Sequence, residues 1–308
     1  MNQYSDKKTD PEMNPKLMFV TGIQKSGTSL LNRVLMAQGF IENPFLPEGK
    51  LFWGDDPVTN PSSAPCGTVY QKHLGQKGHQ MLADDFTPDQ HELLTLKIKR
   101  AAVKTPVLMN KNPNLIVRLP WLKKVFPTCK IVVVLREPVA NIYSFSKKLY
   151  REKQSAADFW WGVKPNNWQK LIDEDALKQI VAVWQAVFEF LLQHIEHVDM
   201  FINYQQFCES PQHHLEQIAS TLGQSAQQIS LPFEQLTCMD DEFKKGGSLE
   251  SKNVLLRREK SFSISASAPE EISYPPFSTK QIKWIKAETE ALWQKLNTTI
   301  NSNKHRAG

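Results

Sequence analysis

The stretch LMFVTGIQKSGTSLL, residues 17–31, constrains the fold more than any other part of the chain. LMFVT has the length and apolar character of a buried strand. It runs into a loop bearing Gly22 and Gly27, after which the spacing turns helical. Leu30, Leu31, Val34 and Leu35 fall on one face of a helix running to about Gly39. Strand, glycine loop and helix in this order form the setting of a phosphate-binding loop, where main-chain N–H groups at a helix start meet an anion.

The loop is nevertheless wrong for a nucleoside triphosphate. That motif reads G-x-x-x-x-G-K-[ST], and its lysine reaches the β- and γ-phosphates. Here Thr28 stands in the lysine slot before Ser29, and a lysine appears earlier, as Lys25. The hydroxyls, the N–H groups and the positive end of the helix dipole still make an anion site. Lys25 would approach from the side, near the bridging oxygen of a shorter phosphate group. That suits a 5′-phosphate carrying one transferable group.

The remaining pattern predicts an α/β fold with a central parallel sheet and helices on both faces. Further apolar runs occur at VLMN (107–110), KIVVVL (130–135) and DMFINY (199–204). Helices are expected across 116–126 with a bend or offset at Pro120, from about Val139 to Arg151, over roughly 176–197 and near 211–222. Ligands of such sheets bind at the carboxyl ends of the strands. Those ends carry GIQKSGTS, NKNPN, REP and YQQF, so phosphate-suited groups gather on one rim. A single domain is expected over 16–298, with a helical insert at 40–105 and a long surface loop at 239–277. Disordered or flexible tails are expected at 1–15 and 299–308.

These residues carry a resemblance. Lys25-Ser26-Gly27-Thr28-Ser29 resembles the 5′-phosphosulfate loop of sulfotransferases that use 3′-phosphoadenosine 5′-phosphosulfate. VVVLREPVANIYSF is similar to the family's second landmark, an arginine ending a central strand with a serine eight residues on. Arg136 and Ser144 hold those two places. NKNPN looks like the lysine-proline segment after the family's second strand. The YQQF segment, with Gln205 in place of the usual acid, resembles one preceding a later helix, and WWGVKPNNW one common in bacterial members. The resemblance spans about residues 17–225 and implies a P-loop-like sulfotransferase fold.

It also implies roles. Lys25 would stabilise the bridging oxygen as charge builds, and Lys111 would bear on the sulfuryl oxygens. Ser26, Gly27, Thr28 and Ser29 would hold the 5′-phosphate, with the N–H groups of residues 26–29 among the donors. Arg136 and Ser144 would hold the 3′-phosphate, and Tyr204, ending a strand on the rim, would meet the adenine or pack structurally. Arg257 and Arg258, with Lys260, form a late basic cluster that would reach over the 3′-phosphate or remain a solvated charge run. No metal is implied, since lysines and a helix end do the neutralising.

For the general base, the histidine used by some members is replaced here by Pro113. Other members use a glutamate after the first helix, and Glu48 in PEGKLFWGDD has that context. An apolar wall beside it would raise its pKa and improve it as a base. A solvated loop acid is the other reading of Glu48, and His73 is the second candidate. The other histidines show no metal spacing, and Trp160, Trp161 and Trp168 read as core or pocket wall.

Bulk properties narrow the function further. A net charge of +5 suits an anionic ligand but is too diffuse for nucleic-acid binding. Cys66, Cys129, Cys208 and Cys238 are far apart and read as buried or free thiols in a reducing compartment. The polar first residues are unlike a signal peptide and no apolar run is long enough for stable membrane insertion, so a cytoplasmic protein is expected. The expected activity is sulfuryl transfer to a hydroxyl or amine of an acceptor that could be a glycan, lipid or small molecule. A P-loop kinase or NTPase and a non-catalytic adenosine-bisphosphate-binding protein are the alternatives. Neither the acceptor nor an oligomeric state is legible.

Overall fold

The computed structural model describes residues 14–46, 48–53, 77–152, 160, 162–229 and 276–304. Strands β1 (Lys16–Thr21), β2 (Ile41–Glu42), β3 (Val107–Lys111), β4 (Lys130–Leu135) and β5 (Met200–Asn203) form one sheet in the order β2-β3-β1-β4-β5. Every pairing is parallel. The register sets Val20 beside Lys111 of β3 on one side and Val132 of β4 on the other.

The continuous apolar runs become central strands because both sheet faces are covered. Along β4, Ile131, Val133 and Leu135 enter one buried cluster and Val132 and Val134 the other. Alternation of side chains across a strand turns one apolar run into two cores. Helix α1 (Thr28–Met36) covers one face through Leu31, Val34 and Leu35, together with α7 (Tyr204–Glu209) and α8 (Pro211–Thr221). The other face is covered by α2 (Lys50–Trp53), α3 (Pro88–Ala101), α4 (Leu119–Val125), α5 (Pro138–Glu152), α6 (Ala176–Gln193) and α9 (Thr279–Lys304). Trp184 of α6 stacks on Phe188 at 4.0 Å between ring centroids, and Trp293 of α9 closes on both.

Several boundaries differ from the sequence reading, each for a local reason. Tyr204 starts a helix rather than ending a strand, because the Asn203 side chain accepts from the Gln206 N–H at 3.1 Å and caps α7. Pro120 sits in the first turn of α4, after a separate 3₁₀ turn at Pro113–Val117, where its missing N–H does no harm. The insert is helical at 50–53 and 88–101 but also contributes edge strand β2. The terminal tail expected from 299 is instead helix up to Lys304, with Leu296 and Ile300 buried on the core. Residues 1–13, 54–76, 230–275 and 305–308 lie outside the described residues. Among the described residues no helix is long and apolar enough to cross a membrane.

At the amino rim of the sheet, Asp199 ties three segments together. Its carboxylate accepts from Lys123 Nζ at 2.7 Å, from Lys130 Nζ at 3.1 Å and from the Ile131 N–H at 2.8 Å. Burial pushes this carboxyl upward, but the hydrogen bonds from Lys123, Ile131 and Lys130 outweigh it and hold the pKa below its ordinary value. A depressed folded-state pKa stabilises the protein above the unfolded value, near 3.9, and that stabilisation is lost as pH falls through the folded pKa. The Asp199→Asn variant should therefore lose about 1–3 kcal/mol at pH 7. Denaturation of both proteins from pH 7 down to pH 3 checks this, and the gap should narrow at the acid end. A gap independent of pH would assign Asp199 a packing role only.

Candidate functional site

The loop between β1 and α1 depends on backbone conformations that few residues adopt. Lys25 has φ 69 and Gly27 φ 104. At Gly27 a side chain is excluded twice over, since a Cβ there would lie 2.3 Å from Cδ2 of Tyr204. The Ser26 N–H, expected among the anion donors, instead closes the loop's own turn onto the Ile23 carbonyl at 3.1 Å. The Ser26 hydroxyl is fully buried, and its Oγ has no hydrogen-bond partner among the described residues. The Gly27 carbonyl accepts from the Leu30 and Leu31 N–H groups, which leaves those of Thr28 and Ser29 without intrahelical acceptors. Thr28 is buried, whereas Lys25 and Ser29 are exposed.

On one side of the loop stands Arg136, directly after β4 and 6% exposed. Its Nη1 donates to the Lys25 carbonyl at 3.1 Å, and its guanidinium lies 4.7 Å from the centroid of the Tyr204 ring. Ser144 is half-buried in α5, six residues beyond Pro138, or about 9 Å along the axis at 1.5 Å per residue. The Asn141 side chain, one turn before Ser144, donates to the Gln24 carbonyl at 3.1 Å and ties α5 to the loop.

On the other side stands Lys111, the last residue of β3 and 2% exposed. Its ammonium makes an ion pair with the Glu48 carboxylate and lies 3.5 Å from Ser29 Oγ. Burial holds the Lys111 pKa below the usual lysine range; Glu48 opposes this shift and the Arg33 charge adds to it. Phe52 and Trp53, a few residues beyond Glu48, are buried in the core. The Glu48 carboxylate itself meets the Lys111 ammonium.

The main chain at Glu48 is held by residues that the sequence reading passed over. Asn112 donates from Nδ2 to the Glu48 carbonyl at 3.0 Å and accepts the Asn114 N–H at 2.8 Å. Asn110 accepts from Trp53 Nε1 at 3.0 Å, and Asn114 accepts from Gln24 Nε2 at 2.8 Å. Gly49 has φ 66, and a Cβ there would fall 2.5 Å from Asn110 Oδ1. NKNPN thus joins the glutamate segment to the glycine loop. The signal was present, because three asparagines at a strand's carboxyl end must find partners if buried.

The structure brings Lys25, Ser26, Gly27, Thr28, Ser29, Lys111, Glu48, Arg136 and Tyr204 to one rim. Segment 162–168 approaches the loop at Gly162, where a Cβ would lie 3.1 Å from Gln24 Oε1, and within it Lys164 Nζ lies 3.8 Å from the Trp168 ring centroid with Trp160 edge-on to Trp168. His79 is buried, its Nδ1 accepting the Lys164 N–H at 2.9 Å, so it serves packing. His73, Trp161, Arg257, Arg258 and Lys260 lie outside the described residues. His194, Glu196 and His197 form the group of metal-capable side chains found among the described residues. They precede β5 and so belong to the opposite rim.

A model of the sulfotransferase family matches residues 16–228. The chain belongs to that family. No curated protein matches it. Among solved structures, the chain is similar to a sulfotransferase from Alicyclobacillus acidocaldarius, with 18% identity over 75% of this chain and 89% of that one, at a TM-score of 0.45. It is similar as well to the sulfotransferase domain of the curacin biosynthetic pathway, with 18% identity, 92% and 98% coverage and a TM-score of 0.46. A third likeness is to sulfotransferase STF1 of Mycobacterium tuberculosis H37Rv, with 15% identity, 71% of both chains and a TM-score of 0.40.

The seat of Gly27 against Tyr204 generates a test. Gly27→Ala must accommodate both a positive φ and a methyl group inside the Tyr204 ring. It should lower stability by about 1–3 kcal/mol, as read by chemical denaturation. A variant as stable as wild type would mean that the loop and ring separate freely.

Proposed function

We propose that this protein transfers a sulfuryl group from 3′-phosphoadenosine 5′-phosphosulfate to a hydroxyl or amine of a small-molecule, lipid or glycan acceptor. The observation that carries the reading is the pairing, on one rim, of an anion loop without the triphosphate lysine and an arginine hydrogen-bonded to that loop. The buried Ser26 hydroxyl, without a partner among the described residues, and the N–H groups of Thr28 and Ser29, which have no acceptor within α1, fit a 5′-phosphate. Arg136 and Ser144 fit a second phosphate near the start of α5, and the guanidinium fork suits its oxygens. When bound, the donor supplies an electrophilic sulfuryl group on a phosphate leaving group.

The chain's own residues then divide the work. Lys25, exposed on the loop, neutralises charge growing on the leaving phosphate, and Lys111 offers its ammonium from the floor of the site beside Ser29. Glu48 takes the acceptor's proton at its carboxylate. The segment 48–53, pinned by Asn110 and Asn112, keeps that carboxylate at the rim. No residue of this arrangement requires a metal, and a cytoplasmic setting suits the buried thiols of Cys129 and Cys208.

Binding supplies the first test, since it needs no acceptor. Adenosine 3′,5′-bisphosphate should bind without Mg²⁺ and much more tightly than adenosine 5′-monophosphate, as measured by calorimetry with and without chelator. In Arg136→Lys most of that preference should vanish although the charge remains. Equal binding of the two nucleotides to wild type would refute the reading.

Turnover supplies the second test. Lys25→Ala should lower turnover far more than bisphosphate affinity, because the charge it meets develops in the transition state. Glu48→Gln should retain donor affinity and cost about a hundred- to ten-thousandfold in rate. A Glu48→Gln rate within about threefold of wild type would remove Glu48 as the base. Because Glu48 also neutralises buried Lys111, the unfolding free energy of each variant should be measured alongside.

A further inference from the structure

Arg136 is held from two directions. Its Nη1 donates to the Lys25 carbonyl at 3.1 Å, and its guanidinium lies over the Tyr204 ring at 4.7 Å. The same ring rests on Gly27, where an added Cβ would come within 2.3 Å of Cδ2 and 2.9 Å of Cε2. Tyr204 itself is 7% exposed and opens α7 behind the Asn203 cap, so its backbone is fixed. Segment 25–27, Arg136 and Tyr204 therefore close a ring of contacts between three parts of the chain that lie far apart in sequence.

We infer that Tyr204 is a positioning residue, whose ring holds the Arg136 guanidinium at a set place relative to the phosphate loop and so determines the preference for nucleotides carrying both a 5′- and a 3′-phosphate. The inference rests on the proposed assignment of Arg136 to the 3′-phosphate. It departs from the expected adenine contact, because the ring is seated between glycine and guanidinium. Attraction between the guanidinium charge and the ring face needs none of the in-plane N–H donors. A ligand phosphate then meets an arginine whose rotamer is already chosen, and the ordering cost at binding falls. The same ring touches the loop that takes the 5′-phosphate, so it sets the separation between the two anion sites. A nucleotide with one phosphate gains nothing from that spacing.

The test compares the full chain with Tyr204→Phe and Tyr204→Leu, using calorimetry with adenosine 3′,5′-bisphosphate and adenosine 5′-monophosphate. Tyr204→Phe keeps the ring and should preserve the bisphosphate preference to within about twofold. Tyr204→Leu should lower it by about five- to thirtyfold, the range of a cation–π contact, with monophosphate affinity nearly unchanged. If Phe loses as much as Leu, the hydroxyl is the working group and the inference is overturned. It is also overturned if Leu weakens both nucleotides equally, since the ring would then support only the loop, or if Leu keeps the full preference. Should Tyr204→Leu fail to fold, trifluorophenylalanine at position 204 retains the ring's shape while draining its face. A partial loss of preference is then expected, and an unchanged preference overturns the inference. A wild-type protein with no preference would sink the proposed function itself before any variant is measured.

Discussion

Parallel pairing of β1 with β3 on one side and β4 on the other is the constraint from which the site follows. Parallel strands end on the same rim, so whatever succeeds three adjacent strands is delivered to one place. Here these are the glycine loop after Thr21, Lys111 at the end of β3 and Arg136 after Leu135. The separation of these groups in sequence is immaterial once the register is set. The apolar alternation of β4 into two cores is what keeps that register, because a slip by one residue would exchange the faces.

A rim built this way concentrates positive groups, and the protein deals with each differently. Lys25 remains in water. Lys111 is nearly removed from it, and the Glu48 carboxylate offsets part of the desolvation that pulls its pKa down. Lys111 is buried whereas Glu48 is half-buried, so the pair contributes little net stability, but removing Glu48 would leave the buried ammonium without this counter-charge. Arg136 is buried against an aromatic face, which a weakly hydrated guanidinium tolerates. Asparagine amides complete the arrangement by satisfying the main chain where the Glu48 segment meets the sheet. The Cys129 thiol, by contrast, has its pKa pushed up to about 12 by burial and takes no part in the chemistry of the rim.

Much of this was legible in sequence because it depends on local pattern. KIVVVL is too apolar and too β-branched to be anything but a covered strand, and the loop's glycines announce a tight turn before a helix. The start of α7 at Tyr204 was not legible, because an asparagine cap and a strand end look alike in letters. The continuation of α9 to Lys304 was not legible either. It depends on Leu296 and Ile300 finding a core whose other half comes from segments far away in the chain. The insert kept most of its detail hidden, since its edge strand β2 exists only by pairing with β3.

The sequence by itself determined the alternation of strands and helices, the glycine-bearing turn between β1 and α1 and the identities of the charged groups at the strand ends. Each of these follows from periodicity, glycine placement or residue chemistry within a short window. Only the tertiary structure decided who touches whom: that Glu48 neutralises Lys111, that Asn112 holds the Glu48 main chain, and that Tyr204 lies between Gly27 and Arg136. These contacts join residues tens to more than a hundred positions apart, and no local preference encodes them. They exist because burial leaves each polar or charged group in need of a partner, and the fold selects which one is within reach.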